Sequence, residues 1–173
     1  MKPPQRKQYL LDCLPQIKAY LLSEVLYWPM GKSPLPLTIG NFLLENKIHA
    51  ISNPIEEEQF ARAIGLTRQT WLTKSNRKVE REFLGRLKLW SSYIASIEEE
   101  KRPSIAQYKN EVRNRVILQL LTKEMDQTLP DVDLVDTGLQ KIFTDDIFLW
   151  DLELQDLFDK QDFWFLFGKL NDR

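Results

Sequence analysis

Before residue 130, apolar residues recur at spacings of three and four, which is the spacing of one face of an α-helix. The predicted helices run from Gln8 to Trp28, from Thr38 to His49, from Pro54 to Gly65, from Thr67 to about Arg102 and from Ser104 to about Gln127. Pro15 should either start or kink the first of these helices, because proline lacks a backbone donor. Thr38 and Asn53 are suitable N-caps for the second and third. We expect the last two helices, which are the longest, to pack antiparallel.

After Pro130 the chain changes to short acidic and aromatic segments. Eight aromatic residues fall within residues 143–167, interleaved with aspartate and glutamate. We expect three short helices here, from Asp131 to Phe143, from Thr144 to Phe158 and from Asp162 to Leu170. Residues 148–154 also alternate as they would in a strand, but residues 147–157 carry apolar positions at helical spacing, and we favour the helix.

These patterns predict an all-α fold, a single-domain helical bundle. Residues 1–130 would form the main bundle around the long antiparallel pair, and residues 131–173 would dock on it as an acidic and aromatic C-terminal segment. The chain has 173 residues, 43% hydrophobic and 28% charged, which is the composition of an ordinary folded protein.

The net charge of −1 hides a division along the chain. Residues 1–125 carry twenty basic and thirteen acidic side chains, whereas residues 126–173 carry four basic and twelve acidic ones. Either the two parts neutralise each other across an internal interface, or each faces a different partner. We favour the internal interface.

Cysteine content and the N-terminal sequence indicate the compartment. Cys13 is the one cysteine, so no disulfide can form within the chain, and we expect it to be a small buried apolar residue. Asp12 and Pro15 interrupt the early apolar residues, so they form neither a signal-peptide core nor a membrane span. We therefore expect a cytoplasmic protein that does not cross a membrane.

The chain lacks the residues that most catalytic and metal-binding sites require. One cysteine and one histidine cannot form a structural zinc site, and the six glycines never cluster into a phosphate-binding loop. Asp131, Asp133 and Asp136 lack the other ligands of a calcium loop. Glu45 and His49 lie four apart, and we interpret them as a surface pair on one helix. We predict no catalytic residue, metal or cofactor, although an apolar loop near residues 28–37 is an alternative site for a small-molecule binder or an enzyme pocket.

Residues 58–71 resemble a DNA-binding helix-turn-helix. Ala61 precedes a turn glycine, Gly65, by four positions, and apolar residues surround this turn. The helix that follows is basic. This resemblance implies nucleic-acid binding by residues 59–88, with phosphate contacts from Arg68, Lys74, Lys78, Arg81 and Lys88.

The acidic and aromatic C-terminal segment is the second candidate functional feature. Large rings either complete the core by docking on the long helices or anchor a partner, and we favour docking. If they anchor a partner, the residues we expect to do so are Trp150, Phe158 and Trp164. The leading hypothesis is a non-enzymatic adaptor or complex subunit with a protein partner, and nucleic-acid binding is the alternative.

Overall fold

The computed structural model describes residues 1–31, 33–99, 104–124 and 132–171, without the side chains of residues 98 and 99. These residues form mostly helix with one small antiparallel sheet. The chain divides into two compact units, Met1–Glu82 and Phe83–Arg173. Residue 130, where the sequence changes character, lies in the second of these units. A single domain stays a prediction.

The first unit contains four helices and the beginning of a fifth. They are α1 (Pro3–Cys13), α2 (Ile17–Leu22), α3 (Ile39–His49), α4 (Pro54–Thr70) and α5 (Leu72–Glu99), which continues into the second unit. Pro15 separates α1 from α2, so the single helix predicted from Gln8 to Trp28 is wrong in extent. Residues 23–28 are not helical, since Ser23 is already extended, with ψ of 167°.

Helices α3 and α4 begin where their caps predict. The Thr38 hydroxyl accepts a hydrogen bond from the Asn41 backbone N–H at 3.0 Å, and the Asn53 side chain accepts one from Glu56 N–H at 3.1 Å. Both bonds satisfy an amide that has no partner inside its own helix. Glu82 of α5 adds a buried carboxylate at the start of α3, where it accepts from the Gly40 N–H at 2.9 Å.

The corner predicted at Gly65 is wrong. Helix α4 continues through Gly65 to Thr70, and the chain turns at Trp71, whose φ and ψ of −119° and 41° are not helical. Phe60 and Ile64 are buried on this helix. Their burial compensates for a glycine in a helix interior, which costs only about 1 kcal/mol relative to alanine. The helix-turn-helix of residues 58–71 is therefore absent.

The second unit contains the rest of α5, α6 (Ile105–Thr122), α7 (Val132–Gln140), strands β1 (Phe143–Phe148) and β2 (Phe167–Leu170), and 3₁₀ helices Leu152–Leu157 and Trp164–Leu166. Helices α5 and α6 run antiparallel here. Arg86 bonds to Asn114 at 3.0 Å, whereas Tyr93, later in α5, stacks with the earlier Tyr108. The predicted ends of these helices, at Arg102 and Gln127, lie outside the described residues.

The all-α prediction is wrong for the C-terminal segment, although the described residues are mostly helical. The helices expected over residues 144–158 and 162–170 are replaced by the two strands and the two 3₁₀ helices. Strand β1 pairs antiparallel with β2, which lies about 20 residues later in the sequence. A pairing over that separation leaves no signal in the local hydrophobic spacing. The helical spacing of the apolar residues therefore predicted helices where the structure has strands and 3₁₀ helices.

The core of the second unit is aromatic. Trp90 and Tyr108 are buried, with ring centroids 6.4 Å apart, and Tyr108 also contacts Phe143 of β1. Aromatic pairs at such distances add attraction beyond that of buried area.

None of the helices in the described part of the chain is both long enough and apolar enough to span a bilayer.

Candidate interaction surface

Strand β1 is the solvent-exposed strand of the two-stranded sheet. Residues 144–147 are all exposed, whereas Phe167, Gly168 and Leu170 of β2 are buried. Among the described residues, β1 pairs with β2 and with no other strand. One long edge of β1 is therefore left without a neighbouring strand.

The pairing of the two strands changes abruptly near the end of β1. Asp145 lies opposite Gly168, but the next pair is Phe148 with Phe167, so Asp146 and Ile147 have no counterpart on β2. Such a β-bulge redirects a side chain and ends regular pairing. Ile147 is 75% exposed, more than any other large apolar side chain in the described part of the chain.

The 3₁₀ helix Leu152–Leu157 presents a second exposed apolar residue. Leu152 is 69% exposed and lies between Asp151 and Glu153, which are also exposed. We call residues 144–156 the acidic–apolar segment. It contains five acidic side chains and no basic one.

Two of these five carboxylates have a basic partner. Lys160 pairs with Asp145 at 2.8 Å, and Lys169 pairs with Asp146 at 2.6 Å. The hydrogen bond from Lys169, helped by the Ile147 backbone N–H, lowers the pKa of Asp146 below its usual value. Asp151, Glu153 and Asp156 form no ion pair with any described residue. Three exposed carboxylates that have no ion pair with a described residue therefore lie within four positions of Leu152 in the sequence.

Buried aromatic rings hold the acidic–apolar segment in place. Phe158 is 2% exposed and packs edge-on against Trp150, with centroids 5.5 Å apart, and against Phe163 at 5.1 Å. Trp150 donates its indole N–H to the Lys109 carbonyl of α6 at 3.1 Å. These contacts therefore fix the position of the exposed residues of the segment.

A buried polar cluster fastens α7 to α5 and α6. Asp136 is 1% exposed and accepts hydrogen bonds from Trp90 Nε1 and from Arg115 Nε, both at 2.8 Å. Burial raises the pKa of Asp136, although the Arg115 guanidinium and the Trp90 bond oppose that rise. Arg115 also lies over the Phe165 ring, 4.4 Å from its centroid. Because each group is paired, the cluster tolerates its removal from water.

The three predicted partner anchors are used in packing. Phe158 is buried, and Trp150 and Trp164 are half-buried, with the Trp164 ring 5.3 Å from Phe143. Ile147 and Leu152 are not among the anchors that the sequence predicts. The alternation over residues 148–154 does not include Ile147, and the bulge, which exposes Asp146 and Ile147 in succession, leaves no regular pattern in the sequence.

The five residues predicted to contact phosphate differ in their burial and in their bonding partners. Lys88 is exposed, but Lys78 is 3% exposed, lies over the Tyr20 ring at 4.4 Å and bonds to the Val25 carbonyl. Arg81 bonds to the Glu24 carbonyl at 3.1 Å, Arg68 bonds to the Ser75 hydroxyl at 2.9 Å, and Lys74 is half-buried. Of the five residues predicted to contact phosphate, Lys78 therefore lies in the interior of the first unit.

The other sequence candidates lie in the first unit. Trp28 and Leu37 exchange backbone hydrogen bonds and close the loop predicted as a pocket. Glu45 and His49 are 2% and 3% exposed, so their interpretation as a surface pair is wrong. Glu45 instead pairs with Arg6, and His49 with Glu56, each at 2.9 Å.

Cys13 is buried, as predicted, and its burial raises the pKa of the thiol to about 12. The described residues contain no group of three or more His, Cys, Asp or Glu side chains arranged to hold a metal ion. A shallow groove of about 180 Å³ lies in the second unit, between Ile94 and Ala95 of α5 and Val135 and Gly138 of α7.

Comparisons with protein-family models, with curated proteins and with solved structures find no match to this chain.

Proposed function

We propose that this protein is a non-enzymatic interaction protein that binds a basic segment of a partner protein through its acidic–apolar segment, residues 144–156. The observation that carries the proposal is the position of Leu152, exposed among three carboxylates that have no ion pair within the described residues. Isolated exposed apolar residues are common on proteins, so exposure alone is a weak argument. The combination with uncompensated charge of one sign favours a partner of opposite charge.

An exposed leucine or isoleucine at an interface should make a measurable contribution to binding. Burying a leucine or isoleucine side chain is worth roughly 1.5–3 kcal/mol, so losing one anchor should weaken binding by about tenfold or more. The carboxylates would mainly raise the association rate and select the partner, and their effect should decrease with salt.

The test is a pull-down with the tagged full chain from nuclease-treated lysate, at low and moderate salt, with wild type and two matched charge reversals. One variant carries Asp151→Lys and Glu153→Lys. The control carries Glu58→Lys and Glu80→Lys, which change the net charge equally at exposed positions of the first unit. We expect a stoichiometric protein that the control retains and the first variant loses. A partner that both variants retain equally contradicts the proposal.

A further single variant separates the apolar contribution from the charge. Leu152→Ser keeps every carboxylate, and we expect it to weaken capture of the same partner by about tenfold. If only nucleic acid is recovered from untreated lysate, and salt removes it, the basic residues of α4 and α5 account for the activity and the acidic–apolar segment does not.

A further inference from the structure

We infer that the partner's basic segment binds in extended form, as a third strand along the free edge of β1. This inference rests on the proposed function and specifies how that surface engages its partner. Addition of a strand to an exposed sheet edge is a recurrent mode of peptide recognition, in which backbone hydrogen bonds supply affinity and side chains supply selectivity.

The register identifies the backbone groups that a third strand would meet. Asn171 N–H donates to the Ile142 carbonyl at 2.8 Å, which marks these two residues as a hydrogen-bonded pair of the ladder. Such pairs alternate along an antiparallel ladder. Thr144, opposite Lys169, therefore directs its N–H and C=O toward β2. Phe143 and Asp145, opposite Leu170 and Gly168, direct theirs away from β2, toward the free edge.

The free edge is accessible at Asp145. This residue is exposed, and its side chain is 70% exposed despite the ion pair with Lys160. The bulge at Asp146 and Ile147 ends the regular edge directly after it. A third strand can thus form backbone bonds at Phe143 and Asp145 and then contact the exposed Ile147 side chain.

Charge selects the occupant of this edge. A second copy of the chain paired through β1 would bring two acidic–apolar segments beside one another, and like charges on neighbouring strands are destabilising. Asp145 and Asp146 already have Lys160 and Lys169 as partners, so the charges that remain for a partner strand are those of Asp151, Glu153 and Asp156. A strand that continues past Ile147 into lysine or arginine residues would place opposite charges near these three carboxylates. The geometry therefore favours a basic segment of another protein over a second copy.

The probe for this inference is a short fluorescent peptide of alternating lysine and valine, titrated into the full chain. Its control is the same peptide with two consecutive N-methylated valine and lysine residues at its centre, which blocks both edges of the peptide but leaves its charge unchanged. We expect N-methylation to weaken binding by at least about fivefold, since one of the two methylated amides would face β1 and its backbone bond is worth about 1 kcal/mol. Equal binding of both peptides would show electrostatic attraction without strand addition, and would overturn the inference.

Hydrogen exchange of the β1 amides provides a measurement within the wild-type protein. At saturating peptide, we expect the Asp145 amide to exchange at least about tenfold more slowly, because a backbone bond would then protect it. The Thr144 amide, which already faces β2, is the internal control and should change little. Unchanged exchange at Asp145 with bound peptide would refute strand addition.

Two variants at one position complete the test. Asp145→Pro removes the outward N–H, whereas Asp145→Asn removes the charge and keeps the N–H. We expect the proline variant to bind the peptide about tenfold more weakly than the asparagine variant. Equal affinities in two folded variants would contradict the inference.

The inference and the proposed function fail in different ways. If strand addition is wrong but Asp151→Lys with Glu153→Lys still abolishes capture of the protein partner, the function stands and the partner binds in another form. If the peptide does not bind at all, the inference fails, while the pull-down decides the function independently.

Discussion

Alanine at Gly168 should destabilise the protein, and alanine at Gly65 should stabilise it. Gly168 lies in β2, where an added Cβ would come 2.5 Å or less from the Phe143 ring and the Thr144 carbonyl oxygen. Ordinary contacts of a Cβ atom lie between 3.4 and 4 Å. An added Cβ at Gly65, inside α4, meets no atom within 4 Å. The same substitution therefore has opposite consequences at the two positions.

The magnitudes follow from what must move. Overpacking costs about 1–3 kcal/mol, and the upper end applies at Gly168 because the Thr144 carbonyl belongs to the backbone of β1 and cannot rotate away. Replacing glycine also restricts the unfolded chain, which returns roughly 0.4–1 kcal/mol. We expect Gly168→Ala to lower the free energy of unfolding by about 2 kcal/mol. Gly65→Ala should raise it by about 0.5–1 kcal/mol, the helix-propensity difference.

The assay is urea-induced unfolding of the full chain, followed by far-UV circular dichroism and by tryptophan fluorescence. Using two probes shows whether the two compact units unfold together, since a single free energy is defined only for a two-state transition. A Gly168→Ala variant as stable as wild type would refute the close packing of Phe143 on β2. A destabilised Gly65→Ala variant would refute the continuous α4 and restore the corner at Gly65, where a turn glycine with positive φ resists alanine.

A double variant identifies which obstacle dominates at Gly168. Phe143→Ala removes the ring but leaves the Thr144 carbonyl, so in that background Gly168→Ala should cost about 1 kcal/mol less than in wild type. Equal costs in both backgrounds would assign the whole effect to the backbone.

The remaining predictions concern buried charge, surface pairing and a left-handed glycine. Arg115→Met should lower the free energy of unfolding by about 3–5 kcal/mol, because it leaves the Asp136 carboxylate buried without its cation. Asp136→Asn should cost less, because its amide oxygen still accepts a hydrogen bond and Arg115 keeps Gln119 and Asp133 as partners. The free energy of unfolding of wild type, relative to that of Asp136→Asn, should fall as pH rises from 3.8, the pKa of Asp136 in the unfolded chain, through its higher pKa in the folded protein. Urea unfolding at several pH values across that range would measure this loss. Lys169→Met should raise the pKa of Asp146, whose contribution to stability is lost as pH falls through its folded pKa, and carboxyl ¹³C NMR titration should detect the change. Gly31→Ala should cost about 1–2 kcal/mol in the same urea assay, because Gly31 has φ of 57°.

Local signals predicted the parts of the fold that depend on neighbouring residues. The caps at Thr38 and Asn53 act within one helical turn, so the sequence contains the whole interaction. The break at Pro15 is equally local. Gly65 shows the limit of this reasoning, because burial of Phe60 and Ile64 on neighbouring elements outweighs the small propensity cost of one glycine.

The sheet depended on contacts that the sequence separates. The Phe143 ring packs on Gly168, 25 positions later in the sequence, and neither residue indicates the other. The fate of Lys78 is a similar case. Its position on α5 matched an exposed basic face. Its ammonium is nevertheless buried in the first unit, where it contacts the Tyr20 ring and the Val25 carbonyl, more than 50 residues earlier in the sequence. Composition predicted that aromatic and basic residues would matter, and it could not predict which of them would be buried.

The two explanations of the charge division apply to different residues of the C-terminal segment. Asp136 neutralises Arg115 in the interior of the second unit, and Asp162 pairs with Lys123 at its surface. These aspartates belong to the internal interface that the sequence favoured. Asp151, Glu153 and Asp156 have no such cation among the described residues, and they lie within four positions of the exposed Leu152 in the sequence. These three carboxylates are therefore the part of the charge division for which the described residues supply no ion-pair partner.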